Sequence, residues 1–367
     1  MPGTNLTRDE AAERARLLDV ASYDVVLDLT TSTTLFPSTT TIRFSCREPG
    51  ASTFADLVDA TVSEITLNGE SVDTSAYEDN RIALSNLQAD NELRVVAECP
   101  YSRTGEGLHR FVDPVDDKVY LYTQFEVPDA RRVFTTFEQP DLKGSFTLHV
   151  TAPSHWEVVS NSPTPAPEPT GDDGASAWHF APTRPISTYI TALVAGEYAV
   201  VRDMYAGTRG EIPLGIFLRE SLREYLDADD IFEVTKQGFE FFENAFDMAY
   251  PFGKYDQLFV PEYNMGAMEN AGCVTFRDEY IFRSRQTRAA YEGRANTVLH
   301  EMAHMWFGDL VTMRWWDDLW LNESFAEWAA QHASTVATKY DEAWTSFCNA
   351  RKTWAYRQDQ LPSTHPI

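Results

Sequence analysis

The 367-residue chain carries 56 acidic and 30 basic residues, a formal net charge of −26. That balance excludes a nucleic-acid-binding protein, which needs a basic face. No apolar run approaches the roughly 20 residues of a membrane helix, so no membrane partner is expected. Hydrophobic residues at 43% and charged residues at 23% describe an ordinary globular chain, long enough for two or three domains. The acids are spread along the sequence, which favours a solubilising surface over an acidic vestibule that attracts amino groups. Cys46, Cys99, Cys273 and Cys348 form no CxxC pair, so buried free thiols in a reducing compartment are expected. The charged start (Arg8, Asp9, Glu10, Glu13, Arg14, Arg16) has no apolar stretch like that of a signal peptide, and a cytoplasmic location follows as the expectation.

A short helix opens the chain: Thr7 and Glu10 form a capping box ahead of Ala11, Ala12, Ala15, Leu17 and Leu18. The texture then changes to short alternating runs separated by turn residues. They include Tyr23–Leu29, Thr39–Phe44, Val62–Leu67 before an Asn68-Gly69 turn, Leu93–Ala97, Tyr120–Phe125, Phe146–Val150, Trp156–Ser160 and Tyr189–Val194. These predict one antiparallel β domain over residues 1–200, with Ser162–Thr170 and its four prolines as a surface loop inside it. From about residue 201 the pattern is mixed α+β. Ile231–Phe246 has helical spacing with Asp229 or Asp230 as cap, strand-like segments follow at Gln257–Pro261 and Gly272–Phe276, and helical texture returns over Arg288–Trp306 and Asn322–Tyr340.

The chemistry concentrates in His300-Glu301-Met302-Ala303-His304, an HExxH sequence. Positions i and i+4 share a helix face, so both imidazoles reach one ion while Glu301 stands beside them. Two surface histidines on an amphipathic helix would give the same five letters. The apolar flanks (Ala295, Val298, Leu299, then Met305, Trp306, Phe307) argue for a buried helix instead, and buried imidazoles need partners. Glu323, one helix further on, completes the two-histidine, one-glutamate set that leaves a catalytic zinc an open position. Glu301 is then the expected general base for water. Glu327, one turn later, is either a hydrogen-bond partner for a zinc histidine or a solvated helix residue.

Upstream, Gly266-Ala267-Met268-Glu269-Asn270 lets substrate backbone approach closely and offers a carboxylate able to pair with an α-ammonium. This GAMEN segment, HExxH, eighteen further residues and Glu323 together resemble the aminopeptidase N family of gluzincins. Further resemblance lies in Pro128–Phe134, Glu138–Lys143, Ser187–Tyr189, Ala192–Gly196, Pro251–Asp256, Leu310–Met313 and Trp315-Trp316. The resemblance implies a saddle-like antiparallel β domain (residues 1–200) followed by a thermolysin-like catalytic domain (residues 201–367). It implies one zinc ion per chain and peptide substrates with a free N-terminal amine. Glu269 would bind that amine and share it with Glu126, while Gln124 would floor the pocket for the first side chain. Met268 would line the pocket, Gly266 and Ala267 would hold substrate main chain, and Asn270 belongs to the same segment.

The sequence departs from the family in two places. Thr135–Pro140 stands where the family reads Pro-Cys-Phe-Asp-Glu-Pro, a region expected to be structural. The family's oxyanion-stabilising tyrosine lies further downstream of the glutamate ligand than either Tyr340 or Tyr356, and Thr364–Ile367 resembles the text just before it. A catalytic domain incomplete at its C-terminal end, a missing C-terminal helical domain, a monomeric state and weak activity of this length of chain are therefore expected. The rival readings are a zinc endopeptidase, which shares HExxH but needs no paired carboxylates at an amine end, a relict zinc- or peptide-binding module, and an epoxide-hydrolysing relative.

Overall fold

The computed structural model describes residues 5–171 and 174–364; His365–Ile367 of the terminal segment noted above lie outside them. Helix α1 (Arg8–Leu17) starts with the expected capping box: the Thr7 hydroxyl accepts the Glu10 N–H at 3.2 Å, and the Glu10 carboxylate accepts the Thr7 N–H at 2.9 Å. Its Arg14 is buried and donates to Asp56 at 2.7 Å and to Gln139 at 2.6 Å. Helix and sheet are thereby tied at a point where an unpaired charge would be costly.

An eight-stranded sheet dominates the first region. Its order is Glu168–Pro169, Ala175–His179, Ser145–Pro153, Leu18–Asp28, Leu35–Cys46, Asp90–Pro100, Thr61–Leu67 and Glu70–Val72. Burial alternates along the long strands, as for a sheet with one face on a core. A four-stranded sheet (Glu157–Ser160, Leu193–Gly196, Val119–Gln124, Gly107–Val112) packs against the same core.

Two expectations about this region change. The large sheet is not purely antiparallel, because Leu18–Asp28 runs parallel to Ser145–Pro153. The chain lays down the intervening strands before it returns beside its first one, and so long a crossover permits parallel pairing where a tight hairpin does not. Tyr189 also lies in a single 3₁₀ turn (Thr188–Ile190), and the strand begins at Leu193.

Between Gly196 and Tyr198 the chain changes sheets. A five-stranded mixed sheet follows, ordered Tyr198–Gly207, Gly210–Arg219, Tyr255–Val260, Cys273–Arg277 and Ala267–Met268. It is covered by α2 (Ala228–Ala245), α3 (Arg288–His304) and α4 (Leu319–Ala337). Neither Asp229 nor Asp230 caps α2. Asp227 holds the cap position without a side-chain bond, and Asp230, inside the first turn, pairs with Arg294 of α3 at 2.7 Å and with Lys339. Ion pairing to two neighbours outweighs a local capping bond.

Each region has its own core, and several second-region residues enter the first one. Phe217, Leu258, Val260, Tyr263, Met268 and Cys273 belong to the cluster that fills the first region. Arg219, nearly buried, bridges Asp113 of the first region at 2.8 Å and Asp278 at 2.7 Å. Cys46, Cys99 and Cys273 are buried free thiols as expected, whereas Cys348 is exposed. Among the described residues no helix is long and apolar enough to cross a membrane.

Candidate metal centre and amine-binding cleft

Thr287 caps α3, and the helix is then buried over most of its circumference, including Ala295, Val298, Leu299, Met302 and Ala303. Packing between α2, α4 and the mixed sheet leaves the polar groups of its last turn facing one another instead of water. Gly308 follows the helix with φ +148°, and a Cβ there would stand 2.9 Å from His304 Nδ1. Glycine therefore lets the chain fold tightly over the imidazole. That turn carries the Phe307 carbonyl to 3.2 Å from His304 Nδ1. The Nδ1–H donates to it, which leaves Nε2 with a free lone pair. On His300, Nδ1 lies 3.6 Å from the Glu327 carboxylate.

With both outer nitrogens facing acceptors, the two Nε2 atoms point at each other across 3.1 Å. Glu323, from α4, reaches His300 Nε2 at 3.2 Å and His304 Nε2 at 3.5 Å. One donor atom from each of His300, His304 and Glu323 lies within 4.8 Å of the others. Two imidazole lone pairs and a carboxylate converging on one point repel unless a cation lies among them, and the donor set suits zinc. A proton competes for the same position. Burial, the largest influence, pushes His300 down, but the Glu323 and Glu327 carboxylates outweigh it and carry it up to about 10. Burial and the neighbouring His300 lower His304 to about 4.

Beside these groups opens a cavity of about 410 Å³ lined by Glu126, Val127, Met265, Ala267, Glu269, His300, Glu301, Leu319 and Glu323. Glu301 is raised to about 8, first by burial, with Glu323 and Glu126 adding to the rise. Glu126, from the end of the Val119–Gln124 strand, is raised to about 7 by burial and then by Glu323. Glu269 is raised well above the ordinary carboxylate value, first by burial and then by the Glu126, Glu323 and Glu301 charges, and its Oε1 is buried without a hydrogen-bond partner. Carboxylate oxygens of Glu126, Glu269 and Glu323 approach within 4.8 Å of one another. So dense a carboxylate cluster asks for a cation at its centre. A larger cavity, about 600 Å³, lies between α3 and the C-terminal helices, but its walls bring together no comparable set of ligating groups.

The remaining sequence-predicted residues divide. Ala267 lines the cavity, while Gly266 accepts the Arg277 N–H at 3.0 Å and so anchors the segment to the sheet. Gln124 is buried and not among the lining residues; it accepts a hydrogen bond from the Tyr263 hydroxyl and directs its amide at Met265 Sδ, 3.1 Å away. Met268 is fully buried in the first region's core and is not among the cavity's lining residues, because alternation along the short Ala267–Met268 strand turns it away from Ala267. Asn270 is likewise buried and donates to the Thr275 hydroxyl at 3.2 Å. Sequence reasoning missed Val127, Met265 and Leu319 as lining residues. It also missed Tyr189, which packs edge-on against Trp316 and whose buried hydroxyl lacks a hydrogen-bond partner. Adjacency to Glu126 and to the GAMEN segment was the available signal for the first two.

The substituted Thr135–Pro140 segment is structural. Buried Glu138 accepts the Arg131 N–H at 2.8 Å and the hydroxyls of Thr136, at 3.2 Å, and Thr188, at 2.5 Å. Lys143 reaches across to the turn after α3, donating to the Asp309 and Leu310 carbonyls at 2.8 and 3.2 Å.

Comparison with known proteins agrees with this architecture. The sequence profile of the Peptidase M1 N-terminal domain matches residues 20–190, and that of the Peptidase family M1 domain matches residues 231–367. The chain belongs to peptidase family M1, with the β-rich N-terminal domain followed by the M1 catalytic domain. It is 61% identical over 373 aligned positions to aminopeptidase N of Streptomyces lividans, covering all of this chain and 43% of that protein. It is 38% identical to aminopeptidase N of Acetobacter pasteurianus over 62% of this chain and 64% of that protein. A probable aminopeptidase 2 of Sulfurisphaera tokodaii is 29% identical over 96% of this chain and 43% of its own length. The chain thus spans less than half of the first and third of these relatives.

Proposed function

We propose that the protein is the amino-terminal part of a zinc aminopeptidase that releases the first residue of peptides bearing a free N-terminal amine. The observation that carries this reading is the adjacency of two charge constellations in one cavity. His300, His304 and Glu323 offer a cation three donors, and Glu126 and Glu269 offer carboxylates beside them. An endopeptidase has no use for a desolvated carboxylate such as Glu269, which would repel peptide carbonyl dipoles; an α-ammonium satisfies it.

His300, His304 and Glu323 would hold one zinc ion, which when bound supplies Lewis acidity to a carbonyl oxygen and to water. The α-ammonium would sit between Glu126 and Glu269, fixing the first peptide bond over the donor cluster. Glu301, buried beside the donor cluster and lining the same cavity, would take a proton from attacking water and pass it to the departing amine. Ala267 and Met265 would contact the substrate's first residue. The unpaired cysteines support a cytoplasmic setting for the enzyme.

Zinc content and hydrolysis of paired substrates test the reading. Alanyl peptides with a free amine should be cleaved from the N-terminus, and their N-acetylated counterparts should not. Equal cleavage of both would support the endopeptidase alternative.

A further inference from the structure

The segment that reads the substrate amine enters the cavity from a loop with unusual backbone. Glu262 has φ +54°, the left-handed region that side-chain-bearing residues rarely adopt. Such a conformation persists where its surroundings over-determine it. The fastening comes from the first region, and it reaches four consecutive residues of the loop.

The Tyr122 hydroxyl donates to the Glu262 carbonyl at 3.2 Å. His109, stacked on Tyr122 with ring centroids 4.9 Å apart, meets the Glu262 carboxylate at 3.2 Å through Nε2. The other ring nitrogen of His109 accepts the Gly105 N–H at 3.1 Å, so in the neutral ring Nε2 carries the proton and donates to Glu262. Burial lowers His109 and keeps the ring neutral, although Glu262 acts in the opposite sense. The next residue, Tyr263, donates to Gln124. The amide of Asn264 donates to the Thr104 carbonyl, and a Cβ at Gly105 would collide with that amide. Met265 then meets the Gln124 amide, after which Gly266 joins the sheet and leads to Glu269.

We propose that His109 and Tyr122 are positioning residues that act through Glu262, holding loop 262–265 in its left-handed turn so that Met265, Ala267 and Glu269 face the donor cluster from a fixed distance. The first region then does more than contribute Glu126 and Gln124. It sets the register of the amine-reading segment itself, although that segment belongs to the second region. What Glu269 binds rests on the aminopeptidase reading above; the loop fastening does not.

Glu262 is the variant site of choice, because its side chain is 57% exposed and its replacement leaves the core intact. In Glu262→Ala, amide hydrogen exchange over residues 262–270 should speed about tenfold while His300–His304 stay protected, the loss of one charge-assisted hydrogen bond. Glu262→Gln keeps an acceptor for His109 and should restore protection to within about twofold. On the zinc-loaded chain, the dissociation constant for L-leucinamide should rise about tenfold in Glu262→Ala and recover in Glu262→Gln. Unchanged exchange in Glu262→Ala, or a Gln variant as loose as the Ala variant, overturns the proposal. Equal binding of L-leucinamide and N-acetyl-L-leucinamide by the unaltered chain would instead overturn the aminopeptidase reading, with the exchange result still deciding the loop fastening.

Discussion

At one end of the cavity His300, His304 and Glu323 come from two helices packed side by side within the second region. At the other end Glu126 comes from a strand end of the first region and Glu269 from a loop of the second. The metal end is local: a helix repeat fixes the two imidazoles, and one helix–helix contact adds the carboxylate. The carboxylate end is assembled where second-region residues enter the first region's core, and it depends on how the two regions dock. The difference teaches that the two ends should respond differently to substitution, the first through metal content and the second through substrate affinity and through residues far along the chain.

The largest effect should come from Glu301→Gln. Turnover of a free-amine peptide by the zinc-loaded protein should fall about a thousandfold, the usual scale for a proton-transferring group. Zinc content by atomic absorption should stay the same, because His300, His304 and Glu323 supply three donors without Glu301. Loss of zinc in that variant would merge base and ligand and break the separation within the metal end.

Next comes Glu323→Ala. A chelator should lower the melting temperature of the unaltered protein, since a cation that binds only the folded state stabilises it. It should leave the Ala variant nearly unmoved. A chelator response of unchanged size would remove Glu323 from the donor set.

At the carboxylate end, Glu126→Gln and Glu269→Gln should each raise KM for a free-amine peptide about ten- to a hundredfold, the scale of one charge-assisted hydrogen bond. The double variant should fall short of the product of the two, because both act on one ammonium. Strict multiplication would mean that the two carboxylates work independently and that the carboxylate end is not a single site.

The smallest effect should be in stability against pH, at Glu138, which does not line the cavity. Burial is the main cause that raises Glu138 to about 7 in the fold, above the ordinary carboxylate value of 4.5. The folded state therefore holds the proton more tightly, and that contribution is complete below about pH 4.5 and lost as pH rises through about 7. Glu138→Gln should flatten the decline in melting temperature across that window, by a few degrees at most. An unaltered decline would assign the pH dependence to the cavity carboxylates instead.

How much of this was legible in the sequence follows the same division. Thr7 and Glu10 announce α1 because a capping box is satisfied within one turn. HExxH announces its own geometry because i and i+4 coincide on any α-helix. Glu323 stands close to both imidazoles because only one short crossing separates its helix from the first. The cap of α2 was misread because Asp230 is drawn to Arg294 and Lys339, partners that sequence spacing does not reveal. The burial of Met268 was not legible because a two-residue strand carries too little pattern to say which face is buried.

Local rules thus determined, from the sequence alone, the opening helix, the β texture of the first region, and the placement of His300 and His304 on one helix face with Glu301 beside them. Tertiary structure decided the parallel return of Ser145–Pro153 beside Leu18–Asp28, the entry of second-region residues into the first region's core, the meeting of Glu126 with Glu269, and the strained loop at Glu262. Each of these joins residues tens to more than a hundred positions apart. Their proximity is set by how sheets and helices bury apolar surface together, and no short stretch of sequence encodes it.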